Sequence, residues 1–142
     1  MTDISRDIME LARLAAQYKT DNLAPLGLKG FHSSYLSAIC FYPGISQDKL
    51  AQMICINKSN IARQAVILEE DGFIERRPSQ SDKRVTELYP TEKTKTLLPQ
   101  IQSILRQWEN LLTEDLSEEE LNLVVSLLQR MKQKAADWME GK

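Results

Sequence analysis

The middle of this chain concentrates side chains of the kind that read and grip nucleic acid. Lys58, Ser59 and Asn60 follow Asn57 directly, and Arg63 and Gln64 stand one helical turn further on. Arginine reaches the guanine acceptors of a DNA major groove, asparagine or glutamine pairs bidentately with adenine, and serine serves phosphate or either base type. A second group follows at Arg76, Arg77, Asp82, Lys83 and Arg84. Residues 57–84 hold six cations against five acids, a net of +1, whereas residues 109–120 hold six acids and no base. Positive charge is therefore set apart from a strongly acidic segment, although the whole chain stands at −2. That balance excludes a protein that coats nucleic acid by bulk charge and leaves room for a localised patch. Solvation alone explains a polar helix face equally well. The second cationic group tips the reading toward DNA.

Other chemistry finds less support. Cys40, Cys55 and the single His32 are too few for a disulfide framework or a Cys/His zinc site. A thiol nucleophile at Cys40, with His32 eight residues away, lacks any marked orienting group or oxyanion hole. The five glycines are scattered, so no phosphate-cradling loop forms. His32 reads as a helix-start or pocket residue, and Cys40 as core. Cys55 reads as a buried packing residue, with a thiol switch as the competing account. We expect no enzyme, no metal and no cofactor. With 142 residues, 42% hydrophobic and 27% charged, the chain suits one domain or two small lobes sharing a core. Met1 to Ile8 contain no apolar block of signal-peptide type, and nowhere do ~18 apolar residues run together. A soluble, cytoplasmic protein is expected.

Helices must position the central residues. Ser46 is a cap for a short helix with Leu50, Ala51 and Ile54 inward, and Asn57 is the next cap. Behind it Ile61, Ala65 and Leu68 keep helical spacing until Gly72. Two helices joined by a turn at Cys55-Ile56-Asn57 make a helix-turn-helix whose second member presents Lys58, Ser59, Asn60, Arg63 and Gln64. The period then shortens: Phe73–Arg77 and Val85–Tyr89 read as strands of a hairpin with a polar tip over 78–83. Arg76 and Arg77 on one strand, and Lys83 and Arg84 near the tip, are expected to project cations on the same side. The acids Glu69, Glu70 and Asp71 end the second helix, where its macrodipole disfavours them.

Both ends of the chain carry narrow apolar stripes. Ile4, Ile8, Leu11, Ala15 and Tyr18 step by four and three, as do Leu97, Ile101, Ile104, Trp108 and Leu111. Leu121, Val124, Leu128, Met131, Ala135 and Trp138 form a third stripe, after a reciprocal cap at Ser117 and Glu120. Pro99 falls inside the second of these helices. Such stripes need a large apolar partner, and a second copy of the chain supplies it more economically than a small central lobe does. Ile8, Leu11, Trp108, Leu111, Leu121, Leu128 and Trp138 are the expected contacts. The division is thus 1–30 and 91–142 as a helical dimerisation region and 31–90 as a DNA-binding lobe. Mutual packing of the end helices within one chain is the alternative.

The stretch Ile45-Ser46-Gln47, Leu50-Ala51, Asn57–Ile61, Leu68-Glu69, Gly72–Pro78 and Ser81–Arg84 resembles the winged helix-turn-helix of the MarR family of bacterial transcription regulators. Asp82 and Arg84, spaced Asp-x-Arg, are the most specific element. The resemblance extends over nearly the whole chain. It implies a mainly α fold with a small β-hairpin, in which first and last helices interlock in a homodimer. By this resemblance Arg84 enters the minor groove and Asp82 helps to fix it. Val66 and Ile67 stand where the family usually has charge, and Pro90 and Thr94 replace its common Leu and Gly. The resemblance further implies a pseudo-palindromic operator, repression more often than activation, and a small-molecule effector, commonly an aromatic acid. Tyr18, His32, Tyr35 and Phe41 are the side chains nominated for that effector, with ordinary core packing as the competing account of each. A winged-helix adaptor that binds protein instead of DNA is the rival function.

Overall fold

The computed structural model describes residues 3–141. Helix α1, Ile4–Leu23, starts where the Asp3 carboxylate accepts the Arg6 N–H at 3.0 Å. It runs into a single 3-10 turn, Ala24–Leu26, because Pro25 cannot continue the α-helical ladder. Helix α2, His32–Phe41, leads through the Gly44 turn to a two-residue strand β1, Ile45–Ser46. Gly44 has φ +90, a conformation that favours glycine, and a Cβ there would sit 3.1 Å from the Tyr89 hydroxyl, so a side chain would also press on that ring. Helices α3, Gln47–Met53, and α4, Lys58–Glu70, form the helix-turn-helix. Strands β2, Ile74–Pro78, and β3, Thr86–Pro90, make the wing. Helices α5, Glu92–Thr113, and α6, Glu118–Glu140, complete the order.

The sheet has the order β1-β3-β2 and is antiparallel throughout, with Ile45 opposite Leu88 and Arg76 opposite the same residue from the other side. Both wing strands start one residue later than the alternation of the sequence suggests. Phe73 is spent on the corner after α4: it is buried, its N–H bonds to Leu68, and its carbonyl accepts from the Thr91 N–H and from both the Thr91 and Thr94 hydroxyls. Val85 likewise belongs to the tip, where its N–H meets the Asp82 carbonyl at 2.9 Å. Strand β1 escaped detection because two residues carry no readable period.

The chain divides into two compact units within α5. The first, to Arg106, holds the apolar core. Leu36 and Ile39 of α2, Leu50 of α3, and Ile61 and Leu68 of α4 are all fully buried, as are Leu88 of β3 and Ile101 of α5. Each such side chain contributes ~1.5–3 kcal/mol of transfer free energy, so this cluster is what holds α4 in place. Helix α1 buries only Leu23, and Tyr18 ties it to α5 by donating its hydroxyl to the Ile104 carbonyl at 2.8 Å. The second unit comprises the end of α5 and α6, with the reciprocal Ser117–Glu120 cap that the sequence indicates. No residue of α6 is buried. Ile8, Leu11, Leu111, Leu128 and Trp138 are exposed, and Trp108 and Leu121 are half-buried. Leu14, Leu112, Leu123 and Val125 widen the exposed apolar surface beyond the stripes. Among the described residues, no helix is long and apolar enough to cross a membrane.

Candidate nucleic-acid interface

Backbone geometry first sets the recognition helix. The turn before α4 bends through Cys55, which adopts φ +58. Cys55 is exposed, contrary to the buried packing expected from the sequence. Cys55 lies in the turn between α3 and α4 and not on the inward face of either helix. Asn57 then caps α4 by accepting the Asn60 N–H at 2.8 Å, and its side-chain oxygen also takes the Ser59 hydroxyl at 2.9 Å. This leaves the first turn rigid. Ile61, Ala65 and Leu68 anchor the inner face, and Lys58, Ser59 and Arg63 are exposed on the outer one. Arg63 reaches back to the Asn60 amide oxygen at 3.3 Å, which joins two candidate base readers in one polar surface. Lys58 lies 3.6 Å from Asp48 of α3, but both side chains are about 70% exposed, so the pair is weak and DNA can displace it.

Gln64 turns the other way. It is half-buried, and its Oε1 accepts the Nε2–H of His32 at 3.0 Å. His32 Nδ1 accepts the Lys29 N–H at 3.3 Å, which defines the neutral tautomer. Burial of the ring pulls the His32 pKa below 6.5. Gln64 therefore links the recognition helix to α2.

The wing carries its cations in distinct settings. Arg84 donates from Nε and Nη2 to the two Asp82 carboxylate oxygens, at 3.1 and 3.2 Å, and from its backbone N–H at 3.1 Å. Those bonds hold the Asp82 carboxyl below its ordinary range, the side-chain ones most strongly. The Arg84 side chain is still 91% exposed, so a fork fixed at its base extends from the tip. Lys83 beside it is exposed. Arg76 and Arg77 do not project together: successive strand residues face opposite ways. Arg77 pairs with Glu75 and lies 4.3 Å over the Tyr89 ring, while Arg76 turns back to Glu69 at the end of α4.

The nominated effector residues are only partly brought together. His32 and Tyr35 are buried with ring centroids 6.0 Å apart, and Phe31, which the sequence reading overlooked, packs edge-on against His32 at 4.5 Å. The Tyr35 hydroxyl is buried and has no hydrogen-bond partner among the described residues. Tyr18 is half-buried, with its hydroxyl on α5. Phe41, about two and a half helical turns beyond His32 on α2, falls on the opposite side and is exposed. Cys40 is half-buried, and burial raises its thiol pKa. Among the described residues no group of three or more His, Cys, Asp or Glu could hold a metal ion.

Comparison with known proteins places this geometry. A model described as the MarR family matches residues 34–86, which span the helix-turn-helix and most of the wing. The chain is 32% identical over 139 residues to YybA of Bacillus subtilis (strain 168), described as an uncharacterized HTH-type transcriptional regulator, covering 97% of this chain and 93% of that one. Its fold is similar to the crystal structure of the transcriptional regulator SlyA, with TM-score 0.92 and 33% identity over 99% of this chain and 100% of the other. A Listeria monocytogenes protein assigned to the same family and crystallised with 26mer DNA superposes with TM-score 0.90 and 30% identity, covering 96% of this chain and 91% of that one.

Proposed function

The chain belongs to the MarR family of transcriptional regulators, and we propose that it acts as a cytoplasmic homodimer that binds a pseudo-palindromic operator and represses transcription. One observation carries the DNA reading: a capped helix start with Lys58, Ser59 and Arg63 exposed and Asn60 half-buried among them shares a lobe with a wing whose Arg84 fork is pre-set by Asp82. The first suits base edges in the major groove, and the second suits the narrow minor groove and its phosphates. Exposed apolar faces on α1, the end of α5 and α6 support a second copy as partner. Two copies repeat each lobe about one helical turn of DNA apart, which is why the operator is read as two related half-sites.

The same reading includes a small aromatic effector. Its support is the His32–Tyr35–Phe31 cluster, where the Tyr35 hydroxyl, unpaired among the described residues, offers a buried hydrogen-bonding handle on a ring packed against Phe31 and His32. An effector of this kind stabilises the protein and weakens DNA binding through one coupling free energy, ~1–3 kcal/mol. A mobility-shift assay on DNA upstream of the chain's own coding sequence, repeated with a panel of aromatic acids, tests both statements. Retarded complexes that the acids release support the full reading. Retardation unaffected by any acid leaves a repressor without this effector. Absence of retardation favours the protein–protein adaptor.

A further inference from the structure

We propose that Glu69 and Arg76 are positioning residues that latch the wing to the recognition helix, so that Arg84 and the first turn of α4 engage one half-site together. This rests on the DNA-binding reading above. Glu69 lies in the last turn of α4, where a carboxylate opposes the helix macrodipole, so a specific partner is needed to account for it. That partner is Arg76 of β2. One carboxylate oxygen accepts the Arg76 backbone N–H and the other accepts its Nε, both at 2.9 Å. The two side chains are only 34% and 35% exposed. Charge-assisted bonds from a single residue to both oxygens fix direction as well as distance.

The latch spans a short corner. Between α4 and β2 stand only Asp71, Gly72 and Phe73, with Gly72 at φ +83. The Thr91 and Thr94 hydroxyls hold the inner side of that corner, so the lobe keeps its core without the latch. What the latch adds is the direction of the strand pair beyond the corner. From Arg76 the ladder continues through Pro78 opposite Thr86, then Ser79 N–H to the Val85 carbonyl, Val85 N–H to the Asp82 carbonyl, and Asp82 to Arg84. A hydrogen-bonded path thus runs from the end of the reading helix to the wing fork. Arg76 Nε is taken up by the Glu69 carboxylate, so its role in this proposal is to hold the wing.

At Glu69, simple charge and positioning predict opposite signs. If Glu69 were merely an acid near DNA, Glu69→Gln would tighten binding. As a latch residue it must weaken binding, roughly three- to tenfold, and so must Arg76→Gln. Glu69→Asp, which keeps the charge but shortens the reach, must also weaken it. The double variant Glu69→Gln/Arg76→Gln must be no worse than either single one. In an Arg84→Ala background none of these changes should cost further affinity, because the latch works through Arg84. Affinities are measured by fluorescence anisotropy on a duplex selected by the wild-type chain from randomised DNA, with melting curves to establish that each variant is folded. Hydroxyl-radical footprints should lose the wing's minor-groove protection and keep protection over the helix. Tighter binding by Glu69→Gln, multiplying effects in the double variant, or full losses persisting in the Arg84→Ala background would each overturn the latch while leaving DNA binding intact. If the wild-type chain selects no sequence, the DNA-binding reading fails first and the latch with it.

Discussion

At the scale of single residues, His32, nominated for an effector site, also serves as a joint between α2 and the recognition helix. Its tautomer is fixed by Lys29 N–H on Nδ1 and by Gln64 Oε1 facing Nε2–H. Burial lowers its pKa below 6.5, the Gln64 hydrogen bond acts against that, Lys29 adds to it and Asp71 opposes it; Tyr35 packs at its edge. A folded-state pKa below the unfolded one gives stability that is complete above 6.5 and is lost as pH falls through the depressed value. The melting temperature of the wild-type chain should therefore drop as pH falls below 6.5, and His32→Gln should flatten that drop. An unchanged slope in the variant would remove His32 as the cause. Gln64 follows the same logic: Gln64→Ala strands a buried donor and should cost ~1–3 kcal/mol of stability while leaving base preference untouched. The sequence marks Gln64 as polar on a helix, but not which face it chooses. It stands 4 positions from Asn60 and 3 from Ile61, between the outer and inner stripes, and only the presence of His32 across the gap decides.

At the scale of elements, the helix and the wing should differ in what they read. Half-buried Asn60 and exposed Arg63 are joined on the start of α4, and each change to alanine should cost ~1–3 kcal/mol at one position of each half-site. Arg84→Ala should instead weaken binding to all sequences and lower the salt slope by roughly one unit per lost phosphate contact. Selection from randomised DNA with each variant checks the division. Retained base preference in Asn60→Ala and Arg63→Ala, with altered preference in Arg84→Ala, would reverse the assignment. These elements were legible because helix caps and stripes are local: Ser46, Asn57 and Ser117 cap where the sequence places them. What stayed hidden was long-range. The purpose of Glu69 at a helix end depends on Arg76 seven residues later, and the strand starts depend on Phe73 being claimed by Thr91 and Thr94. The wing's Arg76 and Arg77 were misread as one patch because alternation separates neighbours.

At the scale of the whole molecule, the largest unexplained cost is exposed apolar surface. Helix α6 runs for 23 residues without burying one, yet it displays Leu123, Val124, Leu127, Leu128, Met131 and Trp138. Helix α1 adds Ile4, Ile8, Met9 and Leu11. Helices of this length draw most of their stability in water from packing an apolar face, and an exposed apolar face on each helix marks an association surface. Capping by Ser117 and Glu120 sets where α6 begins but contributes only ~0.5–2 kcal/mol, too little to hold the helix alone. Folding and association should therefore be coupled, so the melting temperature should rise with protein concentration, as expected when subunits bind the native but not the unfolded chain. Leu128→Glu places a charge in the face and should lose dimer and α6 helicity together, read by sedimentation and far-ultraviolet circular dichroism. The same variant should lose cooperative occupation of two half-sites, because one lobe by itself makes half of the contacts. A folded, stable monomer at low micromolar concentration, with a melting temperature independent of dilution, would refute the coupling and leave the apolar faces to another partner.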